Sequence, residues 1–330
     1  MSEPLPAPEE TLLPPPPPGP GTLGALRPPW LNVFLFLLTF ASAFLAGSAL
    51  NDTQLPEPTR AEMWRHGFGF SAALLFIMLT HEMGHFVMAR KHQVDATWPF
   101  FIPAPLLSII GTLGAVIRLR ALPRNRTALL DIGAWGPLAG FIATIPVLIL
   151  GLKLSTVVAA EPPSARWTLF EAGLTWFQTG HWPAMREAFD LGQPLGMQLL
   201  QQLVVGDLPA GKTLALHPVA VAGWFGFLLT ALNLLPLGQL DGGHVLYGVS
   251  PRLHRLLGPP LAAALLALGV FTAFPGWIIW GLLMGLGLGF HPRLAQPEER
   301  LDGPRRALVL VSLAMLALSF SPVPLALLAG

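Results

Sequence analysis

Long unbroken apolar runs dominate the chain. A helix of about 20 mostly apolar residues spans a bilayer, and residues 30–50, about 68–88, 128–150 and 218–237 meet that length. Residues 256–274 and 277–290 form a further pair across the tight Pro275-Gly276 turn, the second member short, and 307–329 is the last run. The pattern predicts an all-α multi-pass membrane protein of about 6–7 transmembrane helices. The fourth helix should be broken, because Pro236 and Gly238 interrupt its end.

Two connections depart from the helical pattern. Residues 98–120 are too apolar for an ordinary loop but are cut by prolines and glycines. Within them 108–120 reads as two short strands around Gly111 and Gly114, a re-entrant hairpin-like segment. Irregular backbone at membrane depth is tolerated only against protein or a wet cavity. Residues 151–214 have amphipathic helical character over 167–177 and 184–203, fitting an outer cap. Residues 1–29 hold five consecutive prolines from Pro14 and read as a solvated tail. The expected organisation is the tail, a first helix with a short outer loop at 30–65, a membrane core at 66–250, and C-terminal helices at 251–330.

Composition sharpens the class. Only 11% of the 330 residues are charged and 53% are hydrophobic, against roughly 25% charged in soluble domains. A surface so poor in charge has to face lipid, and a net charge of +1 implies no polyanionic partner, so no nucleic acid. Basic residues orient the chain. With the N-terminus inside, 13 Lys and Arg fall in inner segments and 6 in outer ones. This predicts a cytoplasmic N-terminus and an outer C-terminus. The chain has no cysteine, which excludes disulfides, thiolate zinc sites and cysteine nucleophiles. Any metal must be held by His, carboxylate or backbone.

The second span ends in L-T-H-E-M-G-H. His81 and His85 stand at i and i+4, on one helix face, where both imidazoles reach one metal. Glu82 beside them can contact a metal-bound water and accept its proton. Ionisable groups within a lipid-length span are costly and functional by default, although a polar packing or ion-relay cluster uses the same residues. A catalytic zinc usually takes three protein ligands. Asp241, in the sequence N-L-L-P-L-G-Q-L-D-G-G-H at the helix break, is the acidic residue best placed to turn inward. A boundary residue or helix cap is its plainer role. Gly84 would admit a close neighbouring helix or leave room for substrate, and Gly136 and Gly140 form a small-xxx-small pair suited to helix packing. His244 follows the D-G-G and is a candidate to support a ligand. His66, His92, His181, His217, His254 and His291 sit at span ends or in loops and read as interfacial.

H-E-M-G-H at 81–85 together with N-L-L-P-L-G-Q-L-D-G-G at 233–243 resembles the site-2 protease family of intramembrane zinc metalloproteases. The stretch P-R-N-R-T-A-L-L-D-I-G-A-W-G-P-L-A-G at 123–140, with F-F-I-P-A-P and G-T-L-G-A-V-I before it, is similar to the prokaryotic and plastid branch that lacks an inserted PDZ domain. The resemblance covers about 66–250. It implies that His81, His85 and Asp241 bind one Zn2+ and that Glu82 is the general base. It implies that Asn233 hydrogen-bonds the substrate backbone or the developing oxyanion. The family's re-entrant hairpin is thought to hold unwound substrate by strand addition. That role would fall on Ile109, Ile110, Gly111, Thr112, Leu113, Gly114, Ala115, Val116 and Ile117, whose plainer role is a structural plug. Many relatives carry a polar residue where Gly140 stands.

The expected function is regulated proteolysis within the lipid bilayer, on membrane-protein substrates with a transmembrane helix. The expected location is a prokaryotic plasma membrane, with the active site nearer the cytoplasmic side. A metal or ion transporter, and a non-proteolytic membrane chaperone, would use the same elements differently.

Overall fold

The structure is a computed structural model that describes residues 29–50, 56–121, 123–160, 166–182, 185–285 and 300–329. The tail therefore lies, but for residue 29, outside the described residues, as do His291 and the end of the expected 277–290 span. Helices α1 (Trp30–Ser48), α2 (Arg60–Lys91) and α3 (Arg126–Leu154) come first, with strands β1 (Phe100–Pro103) and β2 (Thr112–Val116) between the last two. A peripheral section follows: β3 (Thr156–Ala159), α4 (Leu169–Thr179), β4 (Met185–Leu191), α5 (Leu195–Val204) and β5 (Lys212–Ala215). Helices α6 (Pro218–Leu234), α7 (Asp241–Val249), α8 (Pro251–Phe271), α9 (Gly276–Leu283) and α10 (Gly303–Ser319) and strand β6 (Leu325–Ala329) complete it.

Four helices, α1, α2, α3 and α8, are long and apolar enough to cross a membrane, and α6 is a shorter apolar helix of 17 residues. The fold is thus mostly helical with small sheets. The expected span 307–329 is not one helix: α10 stops at Ser319 and β6 pairs antiparallel with β4. Pro322 and Pro324 end the helix, and the apolar L-A-L-L-A after them has no periodicity that separates strand from helix. The expected helix over 184–203 likewise divides at Gly192 and Pro194 into β4 and α5.

Helix α2 outruns its hydropathic core because its polar start is capped. Thr59 Oγ1 accepts from the Glu62 N–H, and the Glu62 carboxylate accepts from the Thr59 N–H at 2.8 Å. Such a box satisfies two orphan donors. The bundle core forms where α2, α3 and α6 meet, around Phe70, Leu74, Leu148, Trp224 and Phe227.

The re-entrant segment is a hairpin, with a different first strand from the one expected. Phe100 pairs with Val116, Phe101 with Ala115 and Pro103 with Thr112. Both strands were expected within 108–120, but Ile109, Ile110 and Gly111 belong to the turn, and the upstream F-F-I-P supplies the partner. The hairpin lies along α1. Asn32 Nδ2 donates to the Trp98 and Pro99 carbonyls at 3.1 and 2.9 Å, and Ser42 Oγ donates to the Gly111 carbonyl at 2.6 Å. Gly111 has φ of 75°, and a Cβ there would strike the α1 backbone at Ser42.

Candidate metal centre

His81 and His85 lie one turn apart on α2, and Asp241 opens α7 across from them. Their ligating atoms form a small triangle. His85 Nε2 is 3.0 Å from His81 Nε2 and 3.2 Å from Asp241 Oδ2, and His81 Nε2 is 3.3 Å from the same oxygen. A tetrahedral zinc about 2.0–2.1 Å from each ligand would separate the ligand atoms by roughly 3.3 Å. The donor set and its spacing therefore fit one zinc ion. Both histidines are buried and Asp241 is half-buried.

Two packing details bring these atoms together. A Cβ on Gly136 would overlap His85 Nε2, and one on Gly140 would come within 3.0 Å of His81 Cβ. The small pair on α3 thus makes room for both imidazoles. The second detail is at the break after α6. A Cβ on Gly242 would strike the Leu234 carbonyl, and one on Gly243 the Gly238 carbonyl. These glycines let α7 fold back on the end of α6 and turn Asp241 towards α2.

Hydrogen bonds orient the ligands. His85 Nδ1 lies 2.7 Å from the Ile132 carbonyl, so Nδ1 carries the proton and the Nε2 lone pair faces the triangle. Glu82 is buried on the same turn, with the backbone N–H of Ile117, just past β2, close to its carboxylate. The free edge of the hairpin therefore runs up to Glu82. Of the residues expected to form that edge, Thr112, Leu113, Gly114, Ala115 and Val116 are β2 itself. Asn233 is half-buried in the last turn of α6, and its amide makes no hydrogen bond among the described residues. His244 is half-buried, with its Cβ against Gly133 of α3.

Several residues around the centre carry more than their sequence position suggests. Arg126 donates to the Gly248 carbonyl at 2.9 Å and to Val249, joining the start of α3 to the end of α7. His254, expected at an interface, is buried and bonds the Gly238 carbonyl at 3.0 Å. His92 bonds the Asp131 carboxylate at 2.8 Å. The only sequence cue for Asp131 and His254 is a polar residue beside an apolar run. At the far end of α2, His66 and His217 meet edge to face with ring centroids 5.3 Å apart. His217 caps α6 by accepting from the Val219 N–H, and burial, then the neighbouring His66, push its pKa down.

The profile of Peptidase family M50 matches residues 69–275. The "Probable zinc metalloprotease EGY1, chloroplastic" of Arabidopsis thaliana is 28% identical over 334 residues, covering 93% of this chain and 55% of the relative. The rice (Oryza sativa subsp. japonica) protein of the same description is 29% identical over 327 residues, covering 93% and 52%. "Probable zinc metalloprotease EGY2, chloroplastic" of Oryza sativa subsp. indica is 31% identical over 202 residues, covering 61% and 32%. The chain spans about half the length of the EGY1 relatives it matches. No solved structure matches it.

Proposed function

We propose a reaction for a chain that belongs to Peptidase family M50: hydrolysis of peptide bonds in the transmembrane segments of other membrane proteins. The observation that carries the proposal is the triangle of His81 Nε2, His85 Nε2 and Asp241 Oδ2, with sides of 3.0–3.3 Å, two of whose corners stand on α2, a helix long and apolar enough to cross a bilayer. When bound there, zinc acidifies a coordinated water and polarises the scissile carbonyl.

The protein groups do the rest. Glu82 accepts the proton of the attacking water and passes it to the amide nitrogen as the C–N bond breaks. Asn233, whose amide makes no hydrogen bond among the described residues, donates to the carbonyl oxygen as negative charge develops there. A substrate helix hides its peptide bonds in its own hydrogen bonds and must unwind. The unpaired edge of β2, ending where the Ile117 N–H meets Glu82, takes the unwound segment by strand addition. His244 supports the ligand helix α7 against α3. In this reading the chain lies in a prokaryotic plasma membrane, with its N-terminus and the metal centre towards the cytoplasm.

Glu82→Gln tests the chemistry. The variant purified in detergent should keep one zinc per chain and lose cleavage of a single-span substrate by at least about a hundredfold. Normal cleavage by Glu82→Gln, or a wild type that takes up no zinc, ends the proposal.

A further inference from the structure

Beyond the ligands and base stands a buried carboxylate with three helices gathered on it. Asp131 lies in the second turn of α3 and is 7% exposed. Its Oδ2 accepts from His92 Nε2 at 2.8 Å and from an Arg305 terminal nitrogen at 2.8 Å. Arg305 Nε lies 3.1 Å from both carboxylate oxygens. The guanidinium is held in turn by Asp302, the N-cap of its own helix α10, at 2.8 Å. A bidentate guanidinium–carboxylate pair fixes orientation as well as distance. His92 is the C-cap of α2, so the carboxylate ties the ends of α2 and α10 to one point on α3.

That point adjoins the metal centre. The residue after Asp131 is Ile132, whose carbonyl accepts the Nδ1–H of His85 at 2.7 Å. Two polar links therefore join α2 to adjacent residues of α3: His92 to Asp131, and His85 to Ile132. A shift of α3 that loosens the first moves the acceptor of the second, and that acceptor sets the tautomer and ring direction of His85. Gly136, one turn on from Ile132, leaves the room in which the ring lies against α3, so the ring follows that helix closely.

We propose that Asp131, clamped by Arg305 and His92, is a positioning residue for the metal ligand His85, and that α10 is thereby part of the metal centre. Arg305 lies 30 residues past the family match at 69–275, so the match does not contain this part. The proposal rests on the reading of His81, His85 and Asp241 as metal ligands.

Co2+ titration of the full chain in detergent, after chelator stripping, tests it, with the d–d absorption bands and the thermal midpoint read together. Asp131→Asn and Arg305→Gln should weaken Co2+ binding about 10–100-fold, the range for groups that orient a ligand. They should also alter the band shape. Arg305→Lys, which keeps the charge but loses the fork, should fall between Arg305→Gln and wild type. Thr59→Ala, which uncaps the far end of α2, should lower the midpoint and leave the bands alone. Wild-type affinity and spectrum in folded Arg305→Gln overturn the proposal. So does an equal loss of Co2+ affinity in Thr59→Ala at an equal midpoint shift. If Arg305→Gln does not fold, His92→Gln and Arg305→Lys decide on the same two readouts. Failure of wild type to take up Co2+ overturns the metal reading first, and this inference with it.

Discussion

Gly136 shows what a missing side chain does at this centre. Its Cα faces His85 Nε2 so closely that a methyl group would occupy the metal-binding face of the ring. Alanine favours helix over glycine by about 1 kcal/mol, so Gly136→Ala should fold and still fail to hold zinc. Zinc content of the purified variant should fall from one per chain to nearly none. Gly140→Ala, whose new methyl group meets His81 Cβ at 3.0 Å, should bind zinc more weakly rather than lose it. A folded Gly136→Ala with full zinc content contradicts this geometry. The spacing of the pair was legible in the sequence as a small face for helix packing. What packs there was not, because the facing imidazoles belong to a helix some 50 residues away and spacing carries no partner identity. His81, Glu82, His85 and Asp241 could be picked out because each breaks an apolar context. Arg305 could not, since its partner is 174 residues distant and arginine at a helix start is common.

At the scale of elements, the hairpin depends on α1. Asn32 holds its entry and Ser42 its turn, while Phe36 packs edge to face on Phe101 with centroids 5.0 Å apart. These contacts suspend β2 beside α2 with one edge unpaired. Asn32→Ala combined with Ser42→Ala removes hydrogen bonds worth about 1 kcal/mol apiece. The double variant loses three such bonds; it should keep its zinc yet cleave an intact single-span helix roughly 100-fold more slowly, the factor that about 3 kcal/mol represents. A short soluble peptide, already unwound, needs the strand only to be held and should be slowed less. No slowing on either substrate would make the hairpin a plug rather than a substrate strand. The existence of this element was readable from prolines and glycines in an apolar stretch. Its register was not, because F-F-I-P and the run after Ser108 are equally apolar, and only α1 decides which strand lies inside. The break after α6 was legible from Pro236 and Gly238. The fate of residues after Pro324 was not, because their strand partner β4 lies far back in the chain.

For the whole molecule, the low charge content identified a membrane protein but could not fix how many helices cross. Hydropathy counts apolar length, and α10 reaches it only by merging with the residues of β6, which fold as a strand. The contacts instead define two ends. Asn32 with Trp98, Asp131 with His92 and Arg305, and Arg126 with Val249 share one end. Ser155 with His217, β4 with β6, and Trp277 with Pro322 share the other. His85 is six residues before the end of α2, so the metal centre lies about 9 Å from the first end at 1.5 Å per residue. The 13-to-6 division of basic residues predicts that this end faces the cytoplasm. Because the chain has no cysteine, single substitutions test this without background. Ala121, exposed after the hairpin, and Gln178, exposed on α4, mark the two ends. In intact cells a membrane-impermeant maleimide should label Gln178→Cys and spare Ala121→Cys until the membrane is permeabilised. The reverse pattern would invert the chain and put the metal centre at the outer face. Substrates would then have to present their cleavable segment from outside, at the end where the hairpin lies beside Arg90 and Lys91 of α2 and Arg126 of α3.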